Sequence, residues 1–398
     1  MRLLPRARRA AATGLLALLG AVLGANAALA ELPVAITYLR AEVDRPPVLS
    51  NLDPVPDDLG IAGARVALAD TQTTGSFLGH AYTLSVVSVP PGEDVLAAAT
   101  AVLQSSRLVL IDAPTDTTLA IADLAQARDA LLFNVASGAA RLRSADCRAN
   151  LLHTAPEDAA RADALMQVLV ARQWTDLVML TGPNPADRDW AETLRASATK
   201  FGLTIRAEQA WTFDTDLRES TMEEIPRFTQ GLPDHDVLLV ADATDDFGRY
   251  VEHHTWLPRP VAGSDGMVPT AWSPVIEAWG AVQLQNRFRQ AAARPMQGQD
   301  YAAWTAIRAI GEAVTRSNTA DPASLRAYLL ADGFQMDGFK GRGLSFRAWN
   351  GQMRQPIAVA NARALISLAP LAGFLHQRNE MDTLGMDAPE SACTAFGG

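Results

Sequence analysis

Short apolar runs alternate with helix-length stretches along most of the chain. Runs at 34–39, 83–87, 108–111, 131–134, 177–180, 204–208 and 237–240 have the length of strands, and most are rich in Val, Ile and Leu. The clearest helix spans 156–174, where Ala162, Leu165, Met166, Leu169 and Val170 form one apolar stripe. Thr154 and Glu157, with Pro156 between them, predict a capping box at its start. Alternation of this kind gives parallel sheets with helices on both faces. Four strand–helix units fall before residue 150 and three between 151 and 260, which predicts two similar α/β lobes. No repeat of 20–50 residues is evident.

After residue 260 the pattern changes. Two longer helices are expected at 273–290 and 299–316, a shorter one at 321–330, and late strands at 340–346, 357–360 and 364–368. Helices arriving after the second lobe return most economically to the first, so the chain crosses between lobes more than once. The expected division is 31–150 with 271–335 as lobe 1, 151–270 with 336–372 as lobe 2, and 373–398 as a tail. Open α/β sheets bind ligands beyond the carboxyl ends of their strands, which places a cleft between the lobes.

The first thirty residues stand apart. Arg2, Arg6, Arg8 and Arg9 lead into an apolar run at 14–23 that ends in Ala28-Leu29-Ala30. That is the plan of a secretory signal peptide, cleaved before Glu31, and it predicts export to the periplasm. No cysteine follows the cleavage point to carry a lipid. Removal of the signal takes four arginines with it, so the formal net charge of −10 becomes −14. A chain this acidic does not attract nucleic acid or an anionic membrane through its general field. Cys147 and Cys393 are the only cysteines. An oxidising compartment favours a disulfide between them, the alternative being two separate thiols.

No catalytic constellation emerges. There is no G-x-S-x-G elbow, no Walker loop and no G-x-G-x-x-G after the first strand. The six histidines are scattered, and adjacent His253 and His254 point apart on a helix, so no metal site and no resident cofactor is expected. Polar and aromatic residues do cluster just past the expected strand ends. These are Arg40, Thr115 and Ser137 in the first lobe, and Arg188, Trp190 and Asp242 in the second. Trp272 and Trp304 sit near the starts of returning elements. Each has a purely structural reading as a cap or as packing; their shared edge is what makes them candidate ligand-binding residues.

The chain resembles the type I periplasmic solute-binding proteins of the leucine/isoleucine/valine-binding kind. The resemblance covers most of 32–370 and rests on 60–70, the βαβ unit at 108–137, 147–155 with the following helix, and 300–314. There Trp304 stands where that family commonly has tyrosine. The runs Asp146-Cys147-Arg148-Ala149-Asn150-Leu151-Leu152-His153-Thr154, Arg259-Pro260-Val261-Ala262-Gly263 and Asp300-Tyr301-Ala302-Ala303-Trp304 are similar to one subgroup. So are 279–288 and Gly373-Phe374-Leu375-His376-Gln377-Arg378. The subgroup comprises substrate-binding proteins associated with pyrroloquinoline-quinone (PQQ)-dependent alcohol dehydrogenase systems.

The resemblance implies a monomer that closes on a small solute and delivers it to a membrane ABC permease. Two departures stand against ordinary branched-chain amino-acid binding: Gly182-Pro183-Asn184-Pro185 replaces the usual tyrosine and glycine, and the loop 40–56 is long and proline-rich. Tryptophans together with Arg40, Arg141 and Arg188 suit a flat aromatic polycarboxylate such as PQQ, and an aromatic alcohol or its oxidised acid is another candidate. A branched-chain amino-acid binder is one alternative. A non-transport accessory or sensor that docks on a periplasmic dehydrogenase or receptor is another; a cleft plugged by apolar side chains would favour docking.

Overall fold

In the computed structural model the chain is described over residues 31–44, 54–213 and 221–397. The segment expected to be a signal peptide and part of the 40–56 loop lie outside the described residues. Lobe 1 begins with β1 (Leu32–Ala41), α1 (Ile61–Leu78), β2 (His80–Val89), α2 (Val95–Ser105), β3 (Leu108–Asp112), α3 (Thr115–Ala122), β4 (Leu131–Asn134) and β5 (Leu151–His153). These strands form a parallel sheet in the order β2-β1-β3-β4-β5. Lobe 2 follows with α4 (Asp158–Ala171), β6 (Asp176–Thr181), α5 (Pro185–Lys200), β7 (Thr204–Ala210), α6 (Thr221–Thr229), β8 (Val237–Ala241), α7 (Gly248–Val251) and β9 (Val261–Gly263). Its parallel sheet runs β7-β6-β8-β9. Every residue of the inner strands β4 and β8 is buried, because helices cover both faces. The edge strand β7 instead alternates exposed and half-buried positions.

The chain then runs through β10 (Val268–Thr270), α8 (Ala281–Ala292), α9 (Gly298–Ser317) and α10 (Pro322–Leu329). It ends in the short strands β11 (Met336–Asp337), β12 (Gly343–Phe346), β13 (Met353–Arg354), β14 (Ile357–Ala360) and β15 (Leu365–Ala369). Helix α9 returns to lobe 1 and packs along α1. The two backbones approach closely because both carry glycines at the contact. A Cβ on Gly63 would lie 1.9 Å from the Asp300 carbonyl oxygen, and one on Gly311 would lie 2.4 Å from Thr71 Cγ2.

Three expectations change. The helix expected from 273 begins only at Ala281, because Trp279 and Gly280 are both in the left-handed region at φ 56° and 81° and break the run. The capping box at Thr154 does not form. Thr154 Oγ1 has no partner, and Glu157 accepts from the Met386 amide, 229 residues away in sequence. The segment expected to return to lobe 2 at 336 stays with lobe 1: Met336, Leu344, Phe346 and Met353 join its core. The crossing expected at 336 therefore comes near Ile357, which packs with lobe 2, and the tail returns to lobe 1 by Cys393. Cys147 and Cys393 are joined in a disulfide, as expected.

Candidate functional site: the cleft between the lobes

The carboxyl ends of β1, β3 and β4 face the starts of α4 and α5 and the end of β8 across a cleft of about 2220 Å³. On the first wall, α3 starts after Pro114 with no side chain capping its amides. Thr115 Oγ1 meets Ser137 Oγ at 2.8 Å, so two hydroxyls stand beside a helix start. Behind them the backbone is fixed by buried polar residues. Asn134 Oδ1 accepts from the Ser137 amide at 2.9 Å, and Asn134 Nδ2 donates to the Ser137 carbonyl at 2.7 Å. Fully buried Arg143 donates to the carbonyls of Ser137 and Ala139. Burial lowers the Arg143 pKa to about 10, against Glu157 and Asp158, which act to raise it.

Asp112 is the hub of this wall. It accepts from Tyr38 Oη at 2.9 Å, Arg40 Nε at 2.9 Å and Gln299 Nε2 at 2.7 Å. The rest of the Arg40 guanidinium bonds the carbonyls of Asp57 and Leu59. Arg40 therefore clamps its own wall and keeps little capacity for an anion.

On the second wall, Asp242 is buried at the end of β8. Its carboxylate accepts from the amides of Asp246, Phe247 and Gly248 at 2.7–2.9 Å and so fixes the turn into α7. Asp187 holds the start of α5 and accepts from the Ala243 amide at 2.7 Å. Asp245, at the same strand end, is pushed above its ordinary pKa mainly by burial, opposed by Arg249 and reinforced by Asp242. Trp190 packs in the lobe-2 core with the Arg161 guanidinium 4.8 Å over its ring.

Electrostatics sets the character of the cleft. Among the described residues its walls carry twelve Asp and Glu against four Arg and Lys. All four cations are paired: Arg40 with Asp112, Arg141 with Asp116 and Asp146, Arg161 with Asp158, and Lys200 with Asp163. Surplus negative charge remains.

Of the sequence candidates, Arg40, Thr115, Ser137, Trp190 and Asp242 line this cleft. Arg188 does not; it is exposed and donates to the Pro183 carbonyl. Trp304 is 1% exposed inside lobe 1, stacked on Tyr301 at 5.7 Å between ring centroids. Trp272 is 2% exposed, also stacked on Tyr301, at 4.9 Å, and donating from its indole N–H to Gln285. It borders a smaller groove of about 660 Å³ rather than the cleft. Sequence reasoning missed Asn134, Arg143 and Asp112, although a polar residue closing an apolar strand is the signal that marks Asn134 and Asp112. Among the described residues no cluster of three or more His, Cys, Asp or Glu is arranged to hold a metal.

These features define a two-lobed α/β fold of the periplasmic-binding-protein type. Residues 59–247 match the family described as periplasmic binding protein. A comparison with curated protein sequences gives no match. Solved structures share the fold over nearly the whole chain. A branched-chain amino-acid ABC transporter periplasmic ligand-binding protein from Burkholderia xenovorans is 14% identical with a TM-score of 0.67, over 92% of this chain and 100% of that one. A solute-binding protein from R. palustris in complex with benzoate is 13% identical with a TM-score of 0.61, over 92% and 99%. An ABC transporter substrate-binding protein from Desulfitobacterium hafniense in complex with Leu is 17% identical with a TM-score of 0.61, over 85% and 99%.

Proposed function

We propose that this chain is a periplasmic solute-binding protein of an ABC-type uptake system. It captures a small amine-bearing solute, of the amino-acid kind, by closure of its lobes, and delivers it to a membrane permease. The observation that carries this reading is the cleft itself, open and polar, with every cation among the described lining residues already paired and an excess of carboxylates. The Thr115–Ser137 hydroxyls and the uncapped start of α3 offer donors to a carboxylate group. The acidic second wall suits an ammonium group. The match over 59–247 and the fold neighbours support the binding role; the neighbours' own ligands include leucine and benzoate.

An aromatic polycarboxylate such as PQQ, and a partnership with a PQQ-dependent dehydrogenase, rest on the resemblance of sequence runs alone. The tryptophans meant to stack it are core residues, and the arginines meant to bind it are paired or outside the cleft. A docking role without transport is less well supported, because polar side chains rather than an apolar plug line the cleft. A thermal-shift panel of amino acids, amines, benzoate and PQQ on the mature chain tests the proposal. Amine-bearing zwitterions should raise the melting temperature, since ligand binding to the folded state stabilises it. A shift with PQQ or benzoate and none with any amine would refute the amine reading.

A further inference from the structure

The segment after β15 packs as part of the body. It is anchored on lobe 2 first: Leu384 joins that core, and Phe374 meets Phe201 edge-on at 5.7 Å. Two buried carboxylates near the start of α4 then hold its backbone. Asp163 Oδ2 accepts from the Gly385 amide at 2.8 Å, and Glu157 Oε2 accepts from the Met386 amide at 3.1 Å. Lys200 donates to the Gly385 carbonyl at 2.9 Å, closing the clasp. Only glycine fits at 385: φ is +75°, and a Cβ there would lie 2.5 Å from Glu157 Oε2.

The same segment is next anchored on lobe 1. Ser391 Oγ donates to the Arg143 carbonyl at 2.8 Å, and the Ala392 amide donates to Ser144 Oγ at 2.9 Å. Cys393 is bonded to Cys147, and Phe396 lies beneath the Arg326 guanidinium. Between the two anchorages Gly385, Met386 and Glu390 line the cleft. Arg347, which follows the lobe-1 residue Phe346, also donates to the Leu384 and Met386 carbonyls. The segment is thus held by lobe 1 at both of its ends and by the α4 carboxylates of lobe 2 at the first, and it ties together two bodies whose separation sets access to the ligand.

We propose that residues 384–393 are a strap across the cleft. It is a third wall that contributes Met386 and Glu390 to solute selection, and the Cys147–Cys393 bond holds it there and limits how far the lobes open. The selectivity part rests on the solute-binding reading above; the restraint on opening does not. A segment fixed at both ends across a hinge resists separation of its anchor points, and a wall residue selects by what it excludes.

The test uses the full mature chain. Amide hydrogen exchange of the solute-free protein is compared with that of a Cys147→Ser/Cys393→Ser double variant. We expect exchange at least tenfold faster over 384–393 and over 157–163, with β8 peptides unchanged. Exchange outside the strap that matches the wild type would overturn the restraint on opening. Should the double variant fail to fold, Gly385→Ala, which breaks the lobe-2 clasp and leaves the disulfide intact, is expected to give the same pattern. For any solute found in the panel, Met386→Ala should change affinity at least fivefold with an unaltered melting temperature; no change would overturn the selectivity role. Exchange needs no solute, so a failed panel with positive exchange sinks the binding reading and leaves the restraint standing.

Discussion

At the residue scale, the cleft is a set of backbone positions fixed by buried polar side chains. Ser137 is held by Asn134 and Arg143, and the turn into α7 is held by Asp242. Removing a carboxylate that satisfies several buried amides leaves them unpaired. Asp242→Ala should therefore cost about 2–4 kcal/mol of stability, measured by denaturant unfolding, instead of acting on the ligand alone. Thr115→Ala with Ser137→Ala should spare the fold and weaken solute binding roughly tenfold or more by calorimetry. Arg188→Ala should leave affinity unchanged, because Arg188 lies outside the cleft. Residue types at strand ends led to Thr115, Ser137 and Asp242, since strand ends follow from the apolar runs. Trp304 was misread because its helix is buried on nearly all sides: α1 covers one flank, and Tyr301 reaches Gly338 on another. A single-stripe reading of α9 cannot foresee a second layer.

At the element scale, the parallel strands were legible because a strand buried on both faces is apolar throughout. The late short strands β11 and β13 have two residues each and carry no such pattern. The failed capping box shows the limit of local motifs: Glu157 satisfies a residue of the distant tail, and nothing near Thr154 encodes that. Packing of α1 on α9 depends on glycine at the contact. Gly63→Ala should lower stability by about 2–4 kcal/mol, seen as a reduced denaturation midpoint, because the new Cβ meets backbone that cannot rotate away. A melting curve unaltered by this change would show that the helices stand farther apart than described.

At the scale of the whole molecule, the lobes meet at strands whose junction holds buried charge. Lys340 is fully buried and donates to the carbonyls of Ala271 and Pro356 and to Gln355, so it stitches together two crossings. Burial pulls its pKa well below the ordinary 10.5. The unfolded chain then binds a proton more readily than the folded one, so stability rises with pH through the window below 10.5. Lys340→Met should remove that slope from urea titrations run between neutral pH and 10.5. An identical slope in both proteins would assign the dependence elsewhere. The raised pKa of Asp245 acts on the ligand in the same sense. Acidification protonates it early, and affinity for an ammonium group should fall as the pH drops toward its titration range.

The central claim is that the cleft recognises an amine through its carboxylates. Calorimetric titration of residues 31–398 at pH 7 with an amino acid from the thermal-shift panel, beside its N-acetyl derivative, tests this most directly. The two compounds share the carboxylate and the side chain and differ in the charged nitrogen. The account predicts one-to-one binding of the free amino acid and a loss of roughly ten- to a hundredfold or more on acetylation, about 1.5–3 kcal/mol for a charged hydrogen-bonded group. Equal binding of both compounds would contradict it.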